Sequence, residues 1–199
     1  MDGKPSSQSS FEALYRVAEQ QAGYFTAAQA KASGYSERQL TYYVQVRRFE
    51  RIRRGVYRLN QYPSSANEDL FVAWLEAGQG AVISHESALA LYDLSDALPI
   101  EVHLIIPPKA SRRHPGLRLH TNHLSEDEIT SYGGLPVTTV PRTIADIAAS
   151  GLAEEQVIQA VRQAIQGGLA TTESLQAAAE RRGGRAGLLI RRALREAVT

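Results

Sequence analysis

Apolar side chains recur at three- and four-residue steps along the start of the chain: Phe11, Leu14, Tyr15, Ala18 and Ala22 precede Gly23. Ser9 followed by Glu12 has the spacing of a capping box, so this stretch predicts a first helix. Tyr24 and Phe25 then read as a short extended segment. Thr26 with Gln29 repeats the capping spacing and opens a brief helix to about Ala32, before the Ser33-Gly34 break. Ser36 with Gln39 supplies a third such pair, opening a helix through about Val46 whose apolar stripe is Leu40, Tyr43 and Val44. From Phe49 to Leu59 apolar and charged residues alternate around a turn holding Gly55, the pattern of a two-stranded hairpin. Helices followed by a hairpin, with a glycine turn before the third helix, is the order of a winged helix-turn-helix.

Asn60 to Asn67 is polar and carries Pro63, which reads as a linker, so a boundary is expected between residues 62 and 63. Beyond it the pattern mixes periods. Asn67 can cap a helix carrying Leu70, Phe71, Trp74 and Leu75, and Ser84 can cap another carrying Ala88, Leu89 and Leu91. Glu101–Ile106 and Leu117–Thr121 run apolar or alternate between Pro and Gly breaks, which predicts strands. Helices return after Pro141: Val157, Val161 and Ile165 form one stripe, and Leu175 and Leu188 to Leu194 anchor two more. The fold class expected is α+β, with an N-terminal winged helix-turn-helix in 1–62 followed by a mixed α/β domain in 63–199.

Composition excludes several classes. At 199 residues and 43% hydrophobic the chain is globular, and zero cysteines remove a disulfide framework, a thiolate zinc site and a cysteine nucleophile. The first ten residues lack a signal peptide's apolar core, and no run approaches the roughly 18–20 apolar residues that span a bilayer. A cytoplasmic protein with no membrane partner is expected. The net charge of +1 conceals an asymmetry: residues 1–62 carry ten Lys/Arg against five Asp/Glu, and residues 63–199 carry twelve against sixteen. Such opposed halves point to a nucleic-acid module joined to something else.

The basic residues concentrate where a wing would meet phosphates, with seven arginines and one glutamate between Arg38 and Arg58. A turn of about 100° per residue puts Arg38, Thr41, Tyr42 and Gln45 opposite Leu40 and Val44. With Ser36 and Gln39 from the helix start, they are the candidates for meeting DNA from the third helix. Arginine pairs bidentately with guanine, glutamine with adenine, and a threonine methyl touches thymine. Arg47, Arg48, Arg51, Arg53, Arg54 and Arg58 are the candidates for holding phosphate from the wing and helix end. The bland alternative is a solvated charged face on a small bundle.

The pattern running from Tyr24-Phe25-Thr26-Ala27-Ala28-Gln29-Ala30, through Gly34-Tyr35-Ser36 and Leu40, to Phe49-Glu50-Arg51-Ile52-Arg53-Arg54-Gly55-Val56-Tyr57-Arg58-Leu59 resembles the N-terminal winged helix of AbiEi-type antitoxins. Ser84-His85-Glu86-Ser87-Ala88-Leu89 and the segment from Leu135 to Asp146 are similar to parts of the domain behind that winged helix. The resemblance implies an antitoxin and transcriptional repressor of a phage-defence operon. It would bind repeats in double-stranded DNA upstream of its own genes, and it would neutralise a nucleotidyltransferase-like toxin through residues 63–199. A winged-helix transcription factor without antitoxic activity, or a nuclease targeted by the winged helix, are the alternatives.

Catalytic chemistry finds little footing. The histidines are His85, His103, His114, His120 and His123. His120 and His123 are three apart, but Leu117–His120 reads as a strand, and no third metal ligand is evident in the sequence. His85 beside Glu86 imitates an acid/base pair, yet Ser84 at a cap position accounts for the pattern as a helix start. Gly133-Gly134 and Gly167-Gly168 read as a turn and a helix stop, and no phosphate-binding glycine motif occurs. No Asp-x-Asp or nuclease carboxylate set is present, so no enzyme, metal or cofactor is expected. A second basic run, Arg181, Arg182 and Arg185 continued by Arg191, Arg192 and Arg195, could contact DNA or an acidic partner. It reads equally well as cations at a helix C-terminus and a solvated face.

Overall fold

The computed structural model describes residues 7–94, 99–108 and 115–197. By internal contacts it divides into two compact units, Met1–Gln79 with Gly133–Leu135, and Gly80–Tyr132 with Pro136–Thr199.

The first unit is built in the order the sequence predicts. Helix α1 (Ser7–Glu19) is followed by strand β1 (Tyr24–Thr26), α2 (Ala27–Ala32), α3 (Glu37–Gln45), and the hairpin strands β2 (Phe49–Arg53) and β3 (Val56–Leu59). Ser9 lies inside α1 rather than at its cap. Both other capping boxes form: Thr26 accepts from the Gln29 amide while the Gln29 side chain accepts from the Thr26 amide, and Ser36 and Gln39 do the same for α3. The strands make an antiparallel sheet of order β1-β3-β2. The β2–β3 turn is Arg54-Gly55, and Gly55 sits at φ +82°, where only glycine is unstrained. Leu14, Ala18, Phe25, Ala30, Tyr35, Leu40, Phe49 and Leu59 form the core beneath this winged helix-turn-helix. Phe49 lies edge-on to Phe25 at 5.1 Å, which locks the wing strand to the entering strand.

Helix α4 (Glu68–Ala77) groups with this first unit. Tyr24 of β1 stacks on Phe71 of α4, centroids 5.6 Å apart, and the Tyr24 hydroxyl donates to Glu68 at 2.5 Å. Contacts therefore carry the compact unit to Gln79, past the 62/63 division that linker composition suggests. Asn67 occupies the N-cap position of α4 but makes no side-chain cap bond.

The second unit holds a five-stranded mixed sheet and a helical layer. Strands β4 (Val82–Ile83), β5 (Val102–Ile106), β6 (Leu117–Thr121), β7 (Ile129–Tyr132) and β8 (Leu135–Thr138) assemble in the order β6-β5-β4-β8-β7. β4 runs antiparallel to β5 and parallel to β8, and β5 runs parallel to β6. Sequence pattern anticipates β5 and β6; β4, β7 and β8 are additions. Helices α5 (His85–Leu91), α6 (Val140–Ser150), α7 (Glu154–Gln166), α8 (Thr172–Arg182) and α9 (Gly184–Ala197) complete the unit. Val157 and Val161 of the predicted stripe are buried with Leu175, Ile190 and Leu194, whereas Leu188 faces solvent. Ser84 stands at the N-cap of α5 without a side-chain cap bond; its hydroxyl lies against the His85 ring instead.

Candidate nucleic-acid interface

Three of the six residues expected to meet DNA from α3 make side-chain hydrogen bonds within the molecule. The Ser36 amide and hydroxyl both donate to Gln39 Oε1, at 2.9 Å each, and the Gln39 amide donates to Ser36 Oγ at 3.2 Å. They fix where α3 begins, which sets its axis. The Thr41 hydroxyl donates to the Glu37 carbonyl at 3.0 Å, and the residue is exposed. Arg38, Tyr42 and Gln45 are exposed, and Tyr42 retains 56% of its surface. Leu40 faces the core, as the stripe predicts.

The end of α3 leads through Val46, Arg47 and Arg48 into β2. Arg47 takes the left-handed conformation at φ +55°. A non-glycine residue persists there only when its surroundings hold it, and Asn60 does so. The Asn60 side-chain amide donates to the Arg47 carbonyl at 2.8 Å, and the Asn60 backbone amide donates to the Arg48 carbonyl at 3.0 Å. Arg48 lies 5.9 Å over the Tyr43 ring, which itself packs on Phe49. The wing turn is tied as well, because the Ala27 amide donates to the Gly55 carbonyl at 2.9 Å.

The arginines of α3, the loop that follows it and the hairpin fall into two groups. Arg38, Arg47, Arg51 and Arg54 are exposed and, among the described residues, have no carboxylate partner. Arg53 approaches Glu76 at 3.4 Å yet keeps 48% of its side chain exposed. Arg58 differs: its side chain is 15% exposed, pairs with Glu50 at 2.6 Å and lies 3.8 Å from Glu68. Its register partner on β2 is Glu50 itself. The arrangement gives Arg58 a role in holding β2, β3 and α4 together.

Arg181, Arg182, Arg185 and Arg192 of the C-terminal basic run are paired with carboxylates within the second unit. Arg181 meets Asp127 and Glu128 at 3.2 and 3.3 Å, and Arg182 meets Asp146 at 3.4 Å. Arg185 and Arg192 both reach Glu154. Arg191 and Arg195 lie on the same helix, α9. The pairing of Arg181 and Arg182 borders a buried network that spacing does not reveal: Arg142 bonds Glu128 at 2.7 Å and Asp146 at 3.0 Å. Burial pushes the Glu128 carboxyl up, but the Ser125 amide and Arg142 outweigh it and hold the group below the usual carboxylate range.

Among the histidines, His114 lies outside the described residues and His123 is exposed. His120 finds its neighbours elsewhere: His85 and His103 come together with it, and one ring nitrogen of each lies within 4.8 Å of the others. The Gly133-Gly134 and Gly167-Gly168 pairs are a β7–β8 turn and the end of α7, as expected.

Comparison with known proteins bears on the first unit. Residues 12–60 match a family model described as "Transcriptional regulator, AbiEi antitoxin". No curated protein matches the chain. Among solved structures the chain is similar in fold to the crystal structure of the RV2827C protein from Mycobacterium tuberculosis. The TM-score is 0.56 at 13% identity, over 98% of this chain and 79% of that one. No helix of the described residues is long and apolar enough to cross a membrane.

Proposed function

We propose that this chain is a DNA-binding transcriptional regulator acting as the antitoxin of a toxin-antitoxin pair. It represses its own operon through the winged helix, works in the cytoplasm and has no enzymatic role. The observation that carries the DNA-binding part is the set of exposed, carboxylate-free arginines Arg47, Arg51 and Arg54 beside a doubly capped α3. The outer face of that helix offers Arg38, Thr41, Tyr42 and Gln45. In this reading the arginines supply salt-dependent affinity for phosphate, while Gln45 and Arg38 supply preference for base edges. Ser36 and Gln39 act by fixing the helix start.

The antitoxic part rests on the family match over residues 12–60 and on the sequence resemblance behind it. The partner in this reading is a nucleotidyltransferase-like toxin encoded beside this gene, neutralised through the part of the chain beyond the winged helix.

The test has two arms on the full chain. Retarded-gel titration of the DNA upstream of the gene, against random duplex, should give salt-dependent binding with a preference for the upstream DNA. Unchanged binding by an Arg51→Ala, Arg53→Ala, Arg54→Ala triple variant overturns the wing assignment. Co-expression with the neighbouring toxin gene should restore growth; failure of the full-length chain to rescue removes the antitoxin reading and leaves a transcription factor.

A further inference from the structure

The three histidines that converge in the second unit are brought there by non-local structure. On β5 and β6, which pair in parallel, His103 stands opposite Arg118 and Ile105 opposite His120. His103 and His120 are therefore diagonal neighbours on one face of the sheet. His85 begins α5, immediately after β4, and the start of that helix is bonded to the β5 backbone. The Ser84 amide donates to the His103 carbonyl at 3.0 Å, and the Ser87 hydroxyl accepts from the His103 amide at 2.9 Å. These bonds hold His85, Glu86 and His103 in fixed relation. His85 itself takes φ +50° while 6% exposed, an uncommon backbone for a residue other than glycine.

The resulting cluster is chemically specific. His103 Nδ1 lies 3.4 Å from His120 Nε2 and 2.5 Å from Glu86 Oε2. The His85 and His120 rings stack at 3.6 Å, 11° from parallel. Two nitrogens sharing a tetrahedral zinc ion at about 2.0–2.1 Å sit about 3.3–3.4 Å apart, which is the His103–His120 separation. The Ser84 hydroxyl lies 3.0 Å from His85 Nδ1. In the tautomer whose Nδ1–H donates to that hydroxyl, Nε2 keeps the free lone pair, in the manner of a group that orients a metal-binding imidazole.

We propose that His85, His103 and His120, with Glu86 as the neighbouring carboxylate, form a binding site for a divalent first-row transition ion, zinc foremost. Three imidazoles and one carboxylate, with no thiolate in the chain, are the donor set of such an ion and not of calcium or magnesium, which take oxygen. Binding replaces the His103–Glu86 contact with bonds to the ion and turns one of the stacked rings. His120 is the ring with room to turn, because it is half-buried while His85 and His103 are buried. Unprotonated imidazole is the form that coordinates. Glu86 adds a carboxylate beside the three imidazoles, in contact with His103.

The experiment uses the full chain, stripped with chelator and desalted, then titrated with Zn²⁺ against a chromophoric indicator. One equivalent should bind. His103→Gln and His120→Gln should each weaken it at least tenfold, whereas His114→Gln and His123→Gln, at the two remaining histidines, should leave it unchanged. Far-ultraviolet dichroism of each variant separates a lost ligand from a lost fold, and half-buried His120 is the position where the fold is least at stake. Co²⁺ in place of Zn²⁺ should give the visible bands of a four-coordinate site in the wild type only. Failure of the wild-type chain to take up one equivalent, or uptake that survives both ligand substitutions, overturns the site. The titration contains no DNA and no toxin, so its outcome is independent of the regulatory reading.

Discussion

The Asn60 side-chain amide donates to the Arg47 carbonyl at 2.8 Å, fastening the residue after β3 to the loop that ends α3. A residue that composition assigns to a linker thus holds the arginine loop in its left-handed shape. Asn60→Ala should cost at most about 1 kcal/mol of folding stability, since the bond is exposed. It should weaken duplex binding by roughly fivefold for a comparable loss of pre-organisation. Fluorescence anisotropy with labelled duplex, beside a thermal melt, measures both. Unaltered affinity would show that the loop needs no such restraint.

The two groups of wing arginines should separate experimentally. Arg51→Ala and Arg54→Ala should leave the melting temperature unchanged, and each should reduce the slope of log affinity against log salt by about 1. Arg58→Ala should do the reverse. It frees Glu50 and loosens the wing by on the order of 1–2 kcal/mol, discounted because Glu50 is 47% exposed, with little change in the salt slope. A salt slope that falls equally for all three would return Arg58 to the phosphate-contacting set.

The difference between those arginines marks the limit of what the sequence discloses. Capping boxes at Thr26–Gln29 and Ser36–Gln39 are legible because both partners lie three residues apart and the chemistry is local. The hairpin is legible from alternation around Gly55. Whether an arginine is free depends on which carboxylate the fold carries to it, and Glu68 and Glu76 arrive on a helix whose membership in the first unit rests on the Tyr24–Phe71 stack. The histidine cluster is hidden for the same reason. His120 with His123 has suggestive spacing, but the partners that meet His120 come from β5 and the head of α5.

Helices α8 and α9 approach so closely at Gly187 that a Cβ there would lie 2.4 Å from the Ala179 carbonyl oxygen. The neighbour is backbone, so relief requires moving a helix. Gly187→Ala should destabilise the chain by about 1–3 kcal/mol despite alanine's better helix propensity. Chemical denaturation followed by dichroism would show this as a lower midpoint. A raised midpoint would mean that the two helices can separate without cost.

The Glu128–Arg142 pair should carry an acid-dependent part of the stability. Its carboxyl is lowered in the folded protein, so its contribution is present above the ordinary glutamate range near about 4.3 and is lost as pH falls through the lower folded value. Glu128→Gln should cost about 1–3 kcal/mol at neutral pH, and its deficit relative to wild type should shrink on acidification below that range. Thermal melts of both chains from pH 7 downward test this. A deficit independent of pH would assign the loss to packing alone.

Strand β4 has only Val82 and Ile83, yet it occupies the middle of the five-stranded sheet, between β5 and β8. Its second flank is completed by Val137, far along the chain. During synthesis, β4 and β5 can pair early, but the opposite edge of β4 stays open until β8 has emerged. The nascent chain therefore passes through a stage with an unsatisfied, wholly apolar strand edge.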